Sequence, residues 1–168
     1  QPYHMRSGGL RHGASAVVMG FALMVGGCSD DPTAPEFEVI EELEFHSSLN
    51  IDLSQMTRLT TGVYTQDLVL PADSAAMLAA GDVAFVDHTG WLASSGELFS
   101  QGLFSYRFYA NPREVIPGFQ DGMAGMQVGG TRRIIIPPAE GYGSSPPAAI
   151  PAGAVLVFEV ELISVNSG

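Results

Sequence analysis

Glu114-Val115-Ile116-Pro117-Gly118-Phe119-Gln120-Asp121-Gly122-Met123-Ala124-Gly125-Met126 is the stretch on which the fold turns. Phe119, Met123 and Met126 recur at i, i+4 and i+7, which sets three large apolar side chains on one face of a short helix. Pro117 suits the first helical position, because its missing N–H would be an orphan there and its φ is already helical. The three glycines Gly118, Gly122 and Gly125 cost such a helix roughly 1 kcal/mol each relative to alanine. It therefore needs a sheet to pack on, and glycine allows the sheet backbone to come close.

The sheet is legible on both sides of this helix. Thr131 to Ile136 reads as a strand, and so does Ala154 to Ile163, where Leu156, Phe158, Val160 and Leu162 share one face and Glu159 and Glu161 the other. Gly62 to Leu70 reads as a half-buried strand stopped by Pro71, and Asp82 to Leu92 as another, in which Gly90 predicts a bulge or a close backbone approach. A turn at Ser94-Ser95-Gly96 leads to a strand beginning at Leu98-Phe99, and a further aromatic strand runs from Leu103 to Tyr109. Ala72 to Gly81 reads as a connection with a helical turn through Ala75 to Leu78, and Pro137 to Pro151 as a long loop. Short strands around one short helix, with no βαβ rhythm, predict an α+β domain: an antiparallel twisted β-sheet wrapped around the helix.

With 168 residues the chain holds one ordinary domain plus appendages. Eighteen acidic residues face seven arginines and no lysine, a net charge of −11 that repels phosphate backbones and argues against nucleic acid as a partner. Met5-Arg6 and Arg11 supply a basic flank, and Ala14 to Val25 an apolar run too short to span a bilayer comfortably but suited to a signal sequence. That run ends in Val25-Gly26-Gly27-Cys28, which resembles the lipobox of bacterial lipoproteins, where the cysteine is lipidated and heads the mature chain. The expected organisation is a signal peptide over 1–27, lipidated Cys28 with a tether over 28–35, an N-terminal extension over 36–61 and the folded domain over 62–168. In the extension, Glu36 to Phe45 admits a helix or a strand, and Ser47 to Thr60 is expected to pack on the domain edge.

Five segments taken together resemble the FK506-binding-protein (FKBP) type of peptidyl-prolyl isomerase. They are Glu114 to Phe119, Gly122 to Gly130, Ile136-Pro137-Pro138, Gly141-Tyr142-Gly143 and Leu156 to Leu162, in the right order and spacing. The resemblance runs from about Gly81 to the end. It implies a prolyl pocket with Phe119 at its floor, where a tryptophan is usual, and Val115 and Ile116 as a wall, the Ile116 N–H donating to substrate. It implies Tyr142 offering its hydroxyl to a substrate carbonyl, Phe99 and Phe158 as side walls, Ile150 as a loop contact, and Tyr106 where a phenylalanine is usual. Two departures stand out. Asp87-His88-Thr89-Gly90 stands where the family reads His-Tyr-Thr-Gly, and Phe99-Ser100-Gln101-Gly102 where it reads Phe-Asp-Ser-Ser. His88 and Ser100 thus replace both members of a hydrogen-bonded tyrosine–aspartate pair, remove its negative charge, and remain able to bond to each other. The segment from Phe99 to Tyr106 is also shorter than usual.

The chemistry implied needs no bond to be made. Resonance puts a barrier of about 18 to 20 kcal/mol on rotation about an amide bond, and a site lowers it by preferring the twisted amide to either planar form. Aromatic and branched walls that withhold water, with a few placed donors, are the residue types this asks for. No cofactor is called for, and His4, His12, His46 and His88 lack the spacing of metal ligands. Ser100 with His88 suggests a nucleophile and base, but there is no G-x-S-x-G elbow and Asp87 points to the opposite face. The expected function is prolyl cis/trans isomerisation in exported, proline-containing polypeptides, by a protein held extracytoplasmically on a membrane through its lipid anchor. The competing expectation is a non-catalytic binding module, or a structural subunit of a membrane complex.

Overall fold

The computed structural model describes residues 35–72 and 74–167. The signal segment 1–27, Cys28 and most of the tether lie outside the described residues. Six strands form one sheet: β1 (Thr57–Arg58), β2 (Tyr64–Val69), β3 (Val83–Leu92), β4 (Leu98–Arg107), β5 (Thr131–Ile136) and β6 (Leu156–Asn166), with one helix, α1 (Pro117–Met123), between β4 and β5. The strand order is β1-β2-β5-β6-β3-β4 and every neighbouring pair is antiparallel, so β4 is an edge. The expected α+β class, a sheet wrapped around one short helix, is what forms.

α1 starts at Pro117 but ends at Met123, one turn earlier than the apolar spacing predicts. Gly125 adopts φ +74°, a conformation in which glycine alone is unstrained, and this stops the helix. Met126 lies beyond it yet is buried in the same core. The two glycines left inside α1 do admit the sheet, though what they admit is side chains. A Cβ on Gly118 would come within 2.4 Å of Ile136 Cγ2, and one on Gly122 within 2.4 Å of Ile134 Cγ2. Leu156, Phe158, Val160 and Leu162 line the inner face against Phe119 and Met123.

Several boundaries differ from those read off the sequence. Leu98 to Arg107 is a single strand, not two, because Gly102 passes through it at φ +123° without breaking the pairing with β3. Ala75 to Leu78 forms no helical turn; Met77 instead bridges to Gln127, and the Leu78 N–H donates to the Met126 carbonyl at 2.9 Å. β2 is not half-buried along its length: Tyr64 is buried, but Asp67, Leu68 and Val69 are exposed as the strand runs out past the core.

The extension forms neither of the two structures its alternation admits. Residues 35–46 run irregularly, followed by two short 3-10 turns, Ser47–Leu49 and Leu53–Gln55. Ile40 and Leu49 are buried against Val155, Val157, Ile135 and Tyr64 on the outer face of the sheet, forming a second apolar core. Polar ties accompany it: the Tyr64 hydroxyl donates to Glu41 at 2.8 Å, and Arg58 pairs with the same carboxylate at 3.0 Å. The Tyr64 hydrogen bond, more than the exposed arginine, holds the Glu41 carboxyl below its ordinary range.

Candidate active site

A cavity of about 490 Å³ opens between α1, the β3–β4 hairpin and the loop after β5. Its floor is Phe119, meeting Phe158 edge to face at 5.3 Å between ring centroids, and Phe158 meets Phe99 likewise at 5.4 Å. Such edge-to-face contacts fix ring orientation as well as filling space. Room for these rings depends on Gly90: a Cβ there would lie 2.7 Å from Phe158 Cε1 and 2.9 Å from Phe99 Cζ. Beside it the pairing of β3 with β4 slips, since Gly90 pairs with Ser100 and Trp91 with Leu98, leaving Phe99 as the extra residue of a bulge. A bulge re-aims side chains, and here consecutive residues Phe99 and Ser100 both line the cavity.

His88 and Ser100 form the pair that replaces the usual tyrosine and aspartate. His88 Nδ1 lies 2.6 Å from the Gly102 carbonyl oxygen and Nε2 lies 2.7 Å from Ser100 Oγ. A carbonyl only accepts, so Nδ1 carries the proton, and Nε2 of the neutral ring accepts from the Ser100 hydroxyl. The imidazole also meets Phe104 edge to face at 4.9 Å. The group that orients the histidine is thus a backbone carbonyl. Asp87 is exposed on the opposite face of β3, so among the described residues no carboxylate completes a Ser-His-Asp arrangement around this pair.

Two further polar groups face the cavity from across it. The Ile116 N–H, at the N-cap of α1, has no hydrogen-bond partner among the described residues, and neither has the Tyr142 hydroxyl. Both are available to a peptide. Val115 and Ile116 form a wall, and Tyr142 faces the cavity from the loop after β5.

Two residues named from the sequence do not line the cavity. Tyr106 is 2% exposed and sits behind it, between Phe104 and Phe119 at 5.7 and 5.9 Å. Its hydroxyl is buried without a partner among the described residues, and burial pushes the phenol pKa up. Ile150 is likewise core, 7% exposed. Phe104, Arg113 and Glu114 line the cavity and were not named. Phe104 was within reach of the sequence, since it shares its face of the aromatic strand with Tyr106 and Phe108.

An aromatic pocket at the seam of a sheet and a short helix, with unpaired donors on two sides and no strong nucleophile, defines a protein that handles a peptide backbone without covalent chemistry. Residues 75–163 match the family described as FKBP-type peptidyl-prolyl cis-trans isomerase. The peptidyl-prolyl cis-trans isomerase FKBP15-3 of Arabidopsis thaliana is 32% identical over 132 residues, covering 77% of this chain and 92% of that protein. The FK506-binding protein 2B of Rhizopus delemar is 38% identical over 117 residues, 67% of this chain and 54% of its own length. Among solved structures, FkpA of Escherichia coli aligns with a TM-score of 0.60 at 26% identity, over 72% of this chain and 55% of that one. A peptidyl-prolyl isomerase of Pseudomonas syringae aligns at 0.59 and 26%, over 67% and 82%. The chain belongs to the FKBP-type peptidyl-prolyl cis-trans isomerases.

Proposed function

We propose that this chain is a lipid-anchored, extracytoplasmic isomerase that assists the folding of exported proteins by interconverting cis and trans prolyl bonds. The cavity carries the reading. A prolyl ring seated on Phe119 between Phe99 and Phe158 leaves water, and the planar amide loses the solvation that favours its dipole. The Ile116 N–H and the Tyr142 hydroxyl hold the flanking peptide groups while the bond twists, so binding energy is directed to the twisted form. The test is a stopped-flow measurement of Xaa-Pro isomerisation at micromolar chain. Acceleration above the uncatalysed rate, which takes tens to hundreds of seconds, is the expected result. Binding of the peptide with no acceleration would favour a non-catalytic binding module, the second reading, whose motive is the loss of the usual carboxylate at Ser100.

The anchor part rests on the basic flank, the short apolar run and Val25-Gly26-Gly27-Cys28. In a bacterial host, labelled fatty acid is expected on the wild-type chain and absent from Cys28→Ala. Equal labelling of the two would remove the anchor from the proposal.

A further inference from the structure

The residues before β1 grip the sheet where its outer face meets the Tyr142 loop. The Glu38 N–H donates to the Gly153 carbonyl at 2.9 Å, and the Glu38 carboxylate accepts the Val155 N–H at 2.6 Å. The His46 N–H donates to the Ala93 carbonyl at 2.9 Å, and the Ala93 N–H donates to the Val155 carbonyl at 3.0 Å. Gly153 then faces both ways. Its carbonyl belongs to the extension, while its N–H donates to the Gly143 carbonyl at 2.9 Å, one residue from Tyr142.

The domain is shaped to receive this segment. At Gly153, φ +77°, a Cβ would stand 2.6 Å from the Glu36 carbonyl oxygen and 3.0 Å from Phe37 Cα. At Gly96, φ +69°, it would stand 2.5 Å from His46 Nδ1. Two glycines far apart in sequence thus leave room for the same segment, and Ile40 and Leu49 bury themselves between these polar contacts.

We propose that residues 36–50 are a strap that sets the Tyr142 loop, and that Glu38 is a positioning residue for the isomerase site. The catalytic consequence rests on the isomerase reading; the link from Glu38 to Gly143 does not. Without the Glu38 carboxylate the Val155 N–H loses a charge-assisted partner in a largely buried setting. The turn from Gly153 to Val155 then keeps only the Glu38 N–H on the Gly153 carbonyl as its tie to this residue, and the looser turn carries with it the backbone that presents the Tyr142 hydroxyl. Small misplacements of a positioning group are costly even from a distance.

The experiment uses the full chain and three readouts: kcat/KM on an Xaa-Pro peptide, amide hydrogen exchange at Val155 and Gly153, whose N–H groups make the bonds to Glu38 and Gly143, and emission from Trp91, which packs on the second core. Glu38→Ala is expected to speed exchange at both amides about 10-fold and to lower kcat/KM roughly 5-fold, at temperatures where Trp91 emission stays native. Glu38→Gln keeps an acceptor oxygen and is expected within about 2-fold of wild type. Wild-type exchange at Gly153 together with wild-type kcat/KM in Glu38→Ala would overturn the proposal, and so would Glu38→Gln as impaired as the alanine variant. Should the wild type itself lack isomerase activity, the isomerase reading fails and exchange at Gly153 alone decides the strap. If Glu38→Ala loses native Trp91 emission, Glu38→Asp, which withdraws the carboxylate by one methylene, takes its place with an expected change of about 3-fold.

Discussion

Converting Ser100 to aspartate raises isomerase activity, and adding His88→Tyr raises it further, the double variant exceeding wild type on the order of 10-fold, or about 1.4 kcal/mol of barrier. The expectation follows from what the wild-type pair does. Ser100 and His88 satisfy each other at 2.7 Å, and His88 is held from behind by the Gly102 carbonyl. The wall is therefore ordered, which preserves the shape of the pocket and its grip on a peptide. What it lacks is a fixed negative charge beside the prolyl amide, the element by which a pre-set field favours the twisted bond over the planar one. Turnover is expected to change more than peptide affinity. The measurement is kcat/KM and peptide Kd for wild type, Ser100→Asp and the double variant. Equal rates in all three would make the departures catalytically silent, and Kd falling in parallel with the rate gain would mean that the charge acts on binding alone.

Leu156→Ala is expected to cost roughly 2 to 5 kcal/mol of stability, against about 0.5 kcal/mol or less for Glu161→Gln. Leu156 is fully buried, pairs with Ile136 across β5 and β6, and lies in the core that holds Phe119 and Met123. Truncation leaves a cavity where two strands and the helix already meet, with α1 held to the sheet through close contacts at Gly118 and Gly122 that leave little slack for collapse. Glu161 stands exposed on the other side of β6. Urea unfolding of the two variants is the test, and similar midpoints would contradict the register of β6.

The parts of the fold that were legible in the sequence are those whose pattern is local. α1, β5 and β6 announce themselves through apolar spacing within a few residues, and Gly90 through its place in a strand. The second core was hidden because its two halves lie far apart in the chain. Val155-Leu156-Val157-Phe158 is a continuous apolar run, and with Val157 only 1% exposed both faces of β6 are covered at that end. The alternation further along β6 masks this. Gly102 concealed the length of β4, since a glycine in a short aromatic segment reads as a break and only its tolerance of φ +123° makes it a strand residue. For the cavity, the family resemblance put Phe99, Ile116, Phe119, Tyr142 and Phe158 at the pocket, and all five line the cavity. Tyr106 and Ile150 lie behind the lining because burial depth depends on how far the sheet curves around α1, which no short motif encodes.

β4 is the open margin of the sheet, ten residues long, with Arg107 its one charge and Leu103 77% exposed. Natural sheets blunt such margins with lysine, proline, inward charge or bulges; this one has the bulge at Phe99 but no lysine or proline along its length. A net charge of −11 opposes the pairing of two copies margin to margin. That protection is colloidal and depends on the medium. At about 1 M salt the Debye length falls to roughly 3 Å, the repulsion no longer reaches across the gap between two molecules, and concentrated solutions of this protein are driven towards self-association.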